Sequence, residues 1–106
     1  MKALVTGGGG YLGGAIVRAL IKRGDKVSSL QRSEYPELTS LGVKIFKGDM
    51  TDPETVIKAS QGNDVIFHVA GMTGVWGDYQ DYYHTNVTGT KSVIDACLKN
   101  GITKLI

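Results

Sequence analysis

Residues 2–13 read Lys2-Ala3-Leu4-Val5-Thr6-Gly7-Gly8-Gly9-Gly10-Tyr11-Leu12-Gly13. A short apolar run that stops at glycine is the pattern of a buried parallel strand. Beyond the glycines, Leu12, Ala15, Ile16, Ala19 and Leu20 fall at helical spacing. Arg18 and Lys22 lie off that stripe, and Gly24 supplies a C-terminal stop. A strand therefore passes through a glycine loop into a helix. Gly8-x-Gly10-x-x-Gly13 satisfies one frame of a dinucleotide fingerprint, and Gly7-x-x-Gly10-x-x-Gly13 satisfies another. The physics is the same in both frames. The chain must turn tightly, the backbone must approach a pyrophosphate, and the helix must pack close to the sheet. The helix opening at Tyr11 directs unpaired N–H groups and the positive end of its dipole toward that phosphate, which puts Gly7, Gly10, Tyr11, Leu12 and Gly13 at the candidate site. No Gly-Lys-Ser/Thr follows, so a Walker-type phosphate loop is excluded.

The βα alternation continues outward. Lys26 to Leu30 reads as a second strand and Val43 to Lys47 as a third, with a short helix or turn from Tyr35 to Leu41 between them. Asp52 caps a helix with Pro53 at its first position, and Gly62 ends it. Asp64 to Val69 is a fourth strand. A long helix lies within Tyr79 to Asn100, with Tyr83, Val87, Ile94 and Leu98 on one stripe, and Lys104-Leu105-Ile106 begins a fifth strand. Right-handed crossovers then build a doubly wound parallel sheet of Rossmann type, in the order 3-2-1-4-5. Its switch point falls between strands one and four, where the glycine loop and the segment after Val69 meet.

An NAD site expects an acid at the end of strand two, accepting the ribose hydroxyls. Here Gln31 holds that position, and Arg32 and Ser33 follow. A guanidinium there either pairs with a 2′-phosphate or stacks on adenine, against the plainer reading of a solvated surface arginine. The missing acid and the present base favour NADP(H) over NAD(H). Asp49, in Lys47-Gly48-Asp49-Met50, either accepts from the adenine amino group or serves a turn.

Composition bounds the rest. A chain of 106 residues, 42% hydrophobic, makes one domain, and a net charge of +2 does not argue for nucleic acid or a membrane surface. Fifteen glycines are about twice ordinary usage, and five of them lie between Gly7 and Gly13. A single cysteine, Cys97, excludes an internal disulfide and points to a reducing compartment. Glycines interrupt the N-terminal apolar run before a signal or spanning segment can develop, so the expectation is a cytoplasmic protein. His68 and His84 stand without clustered acids or thiols, which favours structural roles and no metal site.

With these residues in hand, the chain resembles the N-terminal part of an extended short-chain dehydrogenase/reductase, of the epimerase/dehydratase superfamily. The resemblance rests on Thr6 to Gly13, Gly48-Asp49-Met50, His68-Val69-Ala70-Gly71 and Asn86-Val87-Thr88-Gly89-Thr90. Gly74-Val75-Trp76-Gly77 and Val93-Ile94-Asp95-Ala96-Cys97 are similar to the 3-beta-hydroxysteroid dehydrogenase/isomerase branch. The run Leu30 to Leu38 is similar to bacterial 2-alkyl-3-oxoalkanoate reductases of that branch. The resemblance implies that Gly7, Gly10 and Gly13 hold the pyrophosphate, Arg32 the 2′-phosphate, and Asp49 with Met50 the adenine. It also implies that Ala70 and Gly71 pass the nicotinamide ribose, that Asn86 supports the catalytic water and lysine, and that Trp76 borders an apolar substrate.

The family's catalytic Ser and Tyr-x-x-x-Lys have no counterpart here; none of the five tyrosines is followed by lysine four residues later. In the family those residues follow the fifth strand, where this sequence ends. The expectations are a dinucleotide-binding part (1–106) of a 3-oxo/3-hydroxy oxidoreductase, a fragment of a nucleotide-sugar epimerase or dehydratase, or a noncatalytic dinucleotide-binding module. Self-association through an uncovered sheet edge and helix face is expected in each case.

Overall fold

The computed structural model describes residues 1–33, 35–69 and 88–106. Five strands, β1 (Lys2–Thr6), β2 (Lys26–Gln31), β3 (Lys44–Lys47), β4 (Val65–His68) and β5 (Lys104–Leu105), form one sheet in the order β3-β2-β1-β4-β5. Every pairing is parallel. The Rossmann-type architecture and the strand order expected from the sequence are those observed.

Because successive side chains on a strand alternate between faces, the sheet sorts its own core into two halves. Leu4, Leu30 and Ile66 point to the face covered by α3 (Pro53–Ser60) and α4 (Gly89–Asn100), where Val56, Ala59, Val93, Ala96 and Cys97 complete a cluster. Ala3, Val5, Val27 and Val65 point to the opposite face, against Val17 and Leu20 of α1 (Tyr11–Lys22) and Leu38 of α2 (Pro36–Ser40). β1 is paired on both edges and covered on both faces, and its last four residues are buried.

Local chemistry sets the boundaries. Asp52 Oδ1 accepts the Glu54 N–H at 3.2 Å and Oδ2 accepts the Thr55 hydroxyl at 2.8 Å, with Pro53 opening α3 as the sequence predicts. Gly101, at φ 69°, closes α4 in the left-handed conformation that glycine reaches without strain.

Two helix faces differ from the expectation. In α1 the buried residues are Gly13, Gly14, Val17 and Leu20, while Ala15 and Ala19 are exposed and Leu12 is 61% exposed. In α4 the buried residues are Gly89, Ser92, Val93, Ala96 and Cys97, while Ile94 and Leu98 face outward, Leu98 at 77% exposure. In α1 Gly13 and Gly14 share the sheet-facing side with Val17 and Leu20, and in α4 Gly89, Ser92, Ala96 and Cys97 share it with Val93, while Leu12, Ile94 and Leu98 are turned outward. The Tyr83 and Val87 part of the expected stripe lies outside the described residues.

Candidate functional site

The C-terminal ends of β1, β2, β3 and β4 are neighbours in the sheet, and the expected site residues are gathered there. After β1 the chain turns at Gly7, whose φ of 79° is the left-handed region, and its N–H bonds the Leu30 carbonyl at 2.9 Å. Gly10 N–H returns to the Gly7 carbonyl at 3.1 Å, closing a tight turn from which α1 departs. A Cβ on Gly13 would overlap that same carbonyl oxygen, so the close passage of α1 over the loop requires glycine there. A Cβ on Gly10 would meet only the Gly7 oxygen at 3.5 Å, an ordinary contact. Gly10 precedes α1 without offering a side-chain cap, and no acidic residue stands in the first turn. The first amides of α1, at Tyr11, Leu12 and Gly13, therefore lack an acceptor within the helix. Tyr11, at 99% exposure, leaves this end of the helix open. The arrangement is a cradle of backbone donors suited to a phosphate anion.

At the end of β2, Gln31 is turned inward and only 7% exposed. Its Oε1 accepts the Ser29 hydroxyl at 2.7 Å, and its Nε2 donates to the Ser33 carbonyl at 2.8 Å. Ser29 Oγ in turn accepts the Gly8 N–H at 3.1 Å, so the glycine loop and the turn after β2 are connected through buried side chains. The Tyr35 ring lies against the loop at Gly9, where a Cβ would run into it. Arg32 projects outward and donates Nη2 to Asp49 Oδ2 at 3.1 Å, bringing the turns after β2 and β3 together. Asp49 Oδ1 accepts the Thr51 N–H and the Thr51 hydroxyl, each at 2.9 Å. The Thr51 amide first, then its hydroxyl and the Arg32 charge, hold the Asp49 carboxyl below its usual range. Asp49 is thus an ionised acceptor at the sheet edge. Met50 is buried beneath it, its thioether against Gly89, where any Cβ would crowd it.

At the switch point, the last residues of β1 and β4 are joined. Thr6 Oγ1 accepts the Val69 N–H at 3.0 Å and lies 3.0 Å from His68 Nδ1, while His68 Nε2 lies 2.9 Å from Thr90 Oγ1 on α4. The imidazole therefore ties β1 and β4 to α4 through both ring nitrogens, and burial lowers its pKa. This structural use of His68 agrees with the sequence reading.

Gly7, Gly10, Tyr11, Leu12, Gly13, Gln31, Arg32, Ser33, Asp49 and Met50 thus converge on one end of the sheet, whereas Ala70, Gly71, Trp76 and Asn86 lie outside the described residues. Sequence reading missed Ser29, Tyr35 and Gly9. Ser29 carried no local signal, since its role follows from its register opposite Val5, one strand away from the loop. Among the described residues no cluster of His, Cys, Asp or Glu could hold a metal ion, and no helix is long and apolar enough to cross a membrane.

Residues 4–106 match the model of the 3-beta hydroxysteroid dehydrogenase/isomerase family. The 2-alkyl-3-oxoalkanoate reductase of Stenotrophomonas maltophilia is 48% identical over the whole chain, which covers 32% of that protein. The enzyme of the same name from Shewanella oneidensis is 49% identical over 98% of the chain, covering 27% of it. Among solved structures, the Thermus thermophilus UDP-glucose 4-epimerase complex with NAD is 31% identical, with a TM-score of 0.87 over 99% of this chain and 36% of its own. The chain spans about a third of the length of the proteins that it matches. It belongs to the 3-beta hydroxysteroid dehydrogenase/isomerase family, and its fold is the nucleotide-binding domain of the oxidoreductase and epimerase superfamily.

Proposed function

From that membership we propose that residues 1–106 are the NADP(H)-binding domain of an oxidoreductase that interconverts a 3-oxo and a 3-hydroxy group on an apolar substrate. The observation that carries the cofactor preference is Arg32, projecting from the end of β2 beside an inward-turned Gln31 where an NAD site would present an acid. The relatives named 2-alkyl-3-oxoalkanoate reductase support the substrate class. When bound, the dinucleotide would give a hydride to the 3-oxo carbon or take one from the 3-hydroxy carbon. In this reading Gly7, Gly10 and Gly13 shape the pyrophosphate cradle, and the amides of Tyr11 and Leu12 donate to it. Arg32 and Ser33 take the 2′-phosphate, and the Asp49 carboxylate accepts from the adenine amino group beside Met50. Ala70 and Gly71 flank the nicotinamide ribose, Asn86 supports the proton-transfer residues, and Trp76 borders substrate. The lone buried thiol of Cys97 is consistent with a cytoplasmic location. Self-association belongs to the same proposal.

Titration of the protein with NADP⁺ and NAD⁺ tests this reading. NADP⁺ is expected to bind more tightly, and Arg32→Asp to weaken it by about 2 kcal/mol, roughly thirtyfold, through a lost charge-assisted contact. Tighter binding of NAD⁺ by the unmodified protein, with no response to Arg32→Asp, would overturn it. The likeness to an NAD-bound UDP-glucose epimerase supports a second reading, a sugar-nucleotide enzyme, which predicts that the whole protein turns over a nucleoside diphosphate sugar rather than a ketone.

A further inference from the structure

We propose that Ser29, Gln31 and Tyr35 form a latch that fixes the Arg32–Ser33 turn against the glycine loop, and that this latch, rather than any contact of its own with the dinucleotide, sets the preference for a 2′-phosphate. The proposal rests on the reading that Arg32 receives that phosphate.

Each bond of the latch has one possible direction. The Gly8 N–H can only donate, so Ser29 Oγ accepts it at 3.1 Å. The single hydroxyl proton of Ser29 then goes to Gln31 Oε1 at 2.7 Å, and Gln31 Nε2 donates to the Ser33 carbonyl at 2.8 Å. The first two bonds are buried, where an unpaired partner is costly and the chain is accordingly held. The Tyr35 ring rests on Gly9, in the space that a Cβ would fill. The two contacts hold the chain before and after Arg32 in sequence, one at Gly8 and one at Gly9 of the glycine loop. With Nη2 on Asp49 at 3.1 Å, the guanidinium keeps further N–H donors for a phosphate before any ligand arrives. An anion then binds without first ordering the turn.

The latch also explains why an amide stands at position 31. A carboxylate there would accept from Ser29 but could not donate to the Ser33 carbonyl. An acid at this position would therefore release the turn as well as repel the phosphate. Ser29, Gln31 and Tyr35 are accordingly positioning residues.

The test is the ratio of NADP⁺ to NAD⁺ dissociation constants, measured by calorimetry on the full chain for the unmodified protein, Ser29→Ala, Tyr35→Ala and Tyr35→Phe. Ser29→Ala and Tyr35→Ala are expected to shift the ratio about tenfold toward NAD⁺, and Tyr35→Phe, which keeps the ring, to preserve it. General damage to the fold weakens both ligands in proportion and leaves the ratio in place. Tyr35 is partly exposed, so its variants decide the matter if Ser29→Ala fails to fold. An unmodified protein that prefers NADP⁺, with a ratio that Tyr35→Ala does not move, overturns the latch and leaves the proposed function standing. An unmodified protein that prefers NAD⁺ overturns the NADP(H) preference on which the latch rests, and the latch with it.

Discussion

Gly10 and Gly13 are the same residue type under different demands. Gly13 is required by the fold, because its Cβ would overlap the backbone carbonyl of Gly7, which cannot swing aside. Gly10 has room for a Cβ and an unstrained φ of −78°. Gly13→Ala is expected to destabilise the protein by about 2 kcal/mol, read as a lower urea midpoint. Gly10→Ala should leave that midpoint nearly unchanged, within about 0.5 kcal/mol, while weakening dinucleotide binding more than tenfold, roughly, because its Cβ stands where the pyrophosphate approaches. Loss of stability without loss of affinity at Gly10 would reverse the assignment. The sequence presented four consecutive glycines and could not separate these demands, which depend on what each Cα faces. Arg32, Asp49 and the loop itself were legible, because charge and glycine are conspicuous by type. Ser29 was not, since a serine inside a strand acquires a role only when register sets it opposite the loop.

At the scale of elements, strands were the most legible part. In the apolar run Val65 to Phe67, Val65 and Ile66 are buried on opposite faces and Phe67 is partly buried. Boundaries moved by a residue at most, as at β3, which begins at Lys44 rather than Val43, and at β4, which loses a residue at each end. Helix faces were less legible, because Gly13, Gly14, Gly89 and Ser92 are buried although a reading of apolar periodicity does not count them, and Leu12, Ile94 and Leu98 are exposed although it does. The two sides of α4 therefore respond differently to substitution. Val93→Ala is expected to cost about 2 kcal/mol for the void that it leaves between α4 and the sheet, whereas Leu98→Lys should change stability by less than about 0.5 kcal/mol. Denaturant titration of both variants, at concentrations where the chain is monomeric, checks the pair, and equal losses would mean that the outward face of α4 is packed within the chain after all.

For the molecule as a whole, the imidazole of His68 links three elements and resists protonation because it is buried. Its folded pKa lies below the unfolded value of about 6.5, so the unfolded chain binds the proton first. Its contribution is intact above about pH 6.5 and is lost as pH falls from there through the lowered folded value, with a slope of at most about 1.4 kcal/mol per pH unit. Unfolding free energies measured between pH 5 and 8 should show this decline, and His68→Gln should flatten it; an unchanged slope would place the titrating group elsewhere. Exposed Ile94 and Leu98 on α4, and Leu105 and Ile106 at the β5 edge, give the surface expected to drive self-association. Light scattering across concentration should report a mass above that of one chain, and a constant monomer mass would reject that expectation. The position of β1 has a separate consequence in time. It precedes β2 and β4 in sequence and lies between them in the sheet, yet its bond partner at His68 lies 62 residues further on. Closing that distance precedes any gain from it, so the β1–β4 seam is expected to form after the β1–β2 seam. On a translating ribosome β1 can be flanked first by β2 alone, waiting with one open side until β4 has emerged.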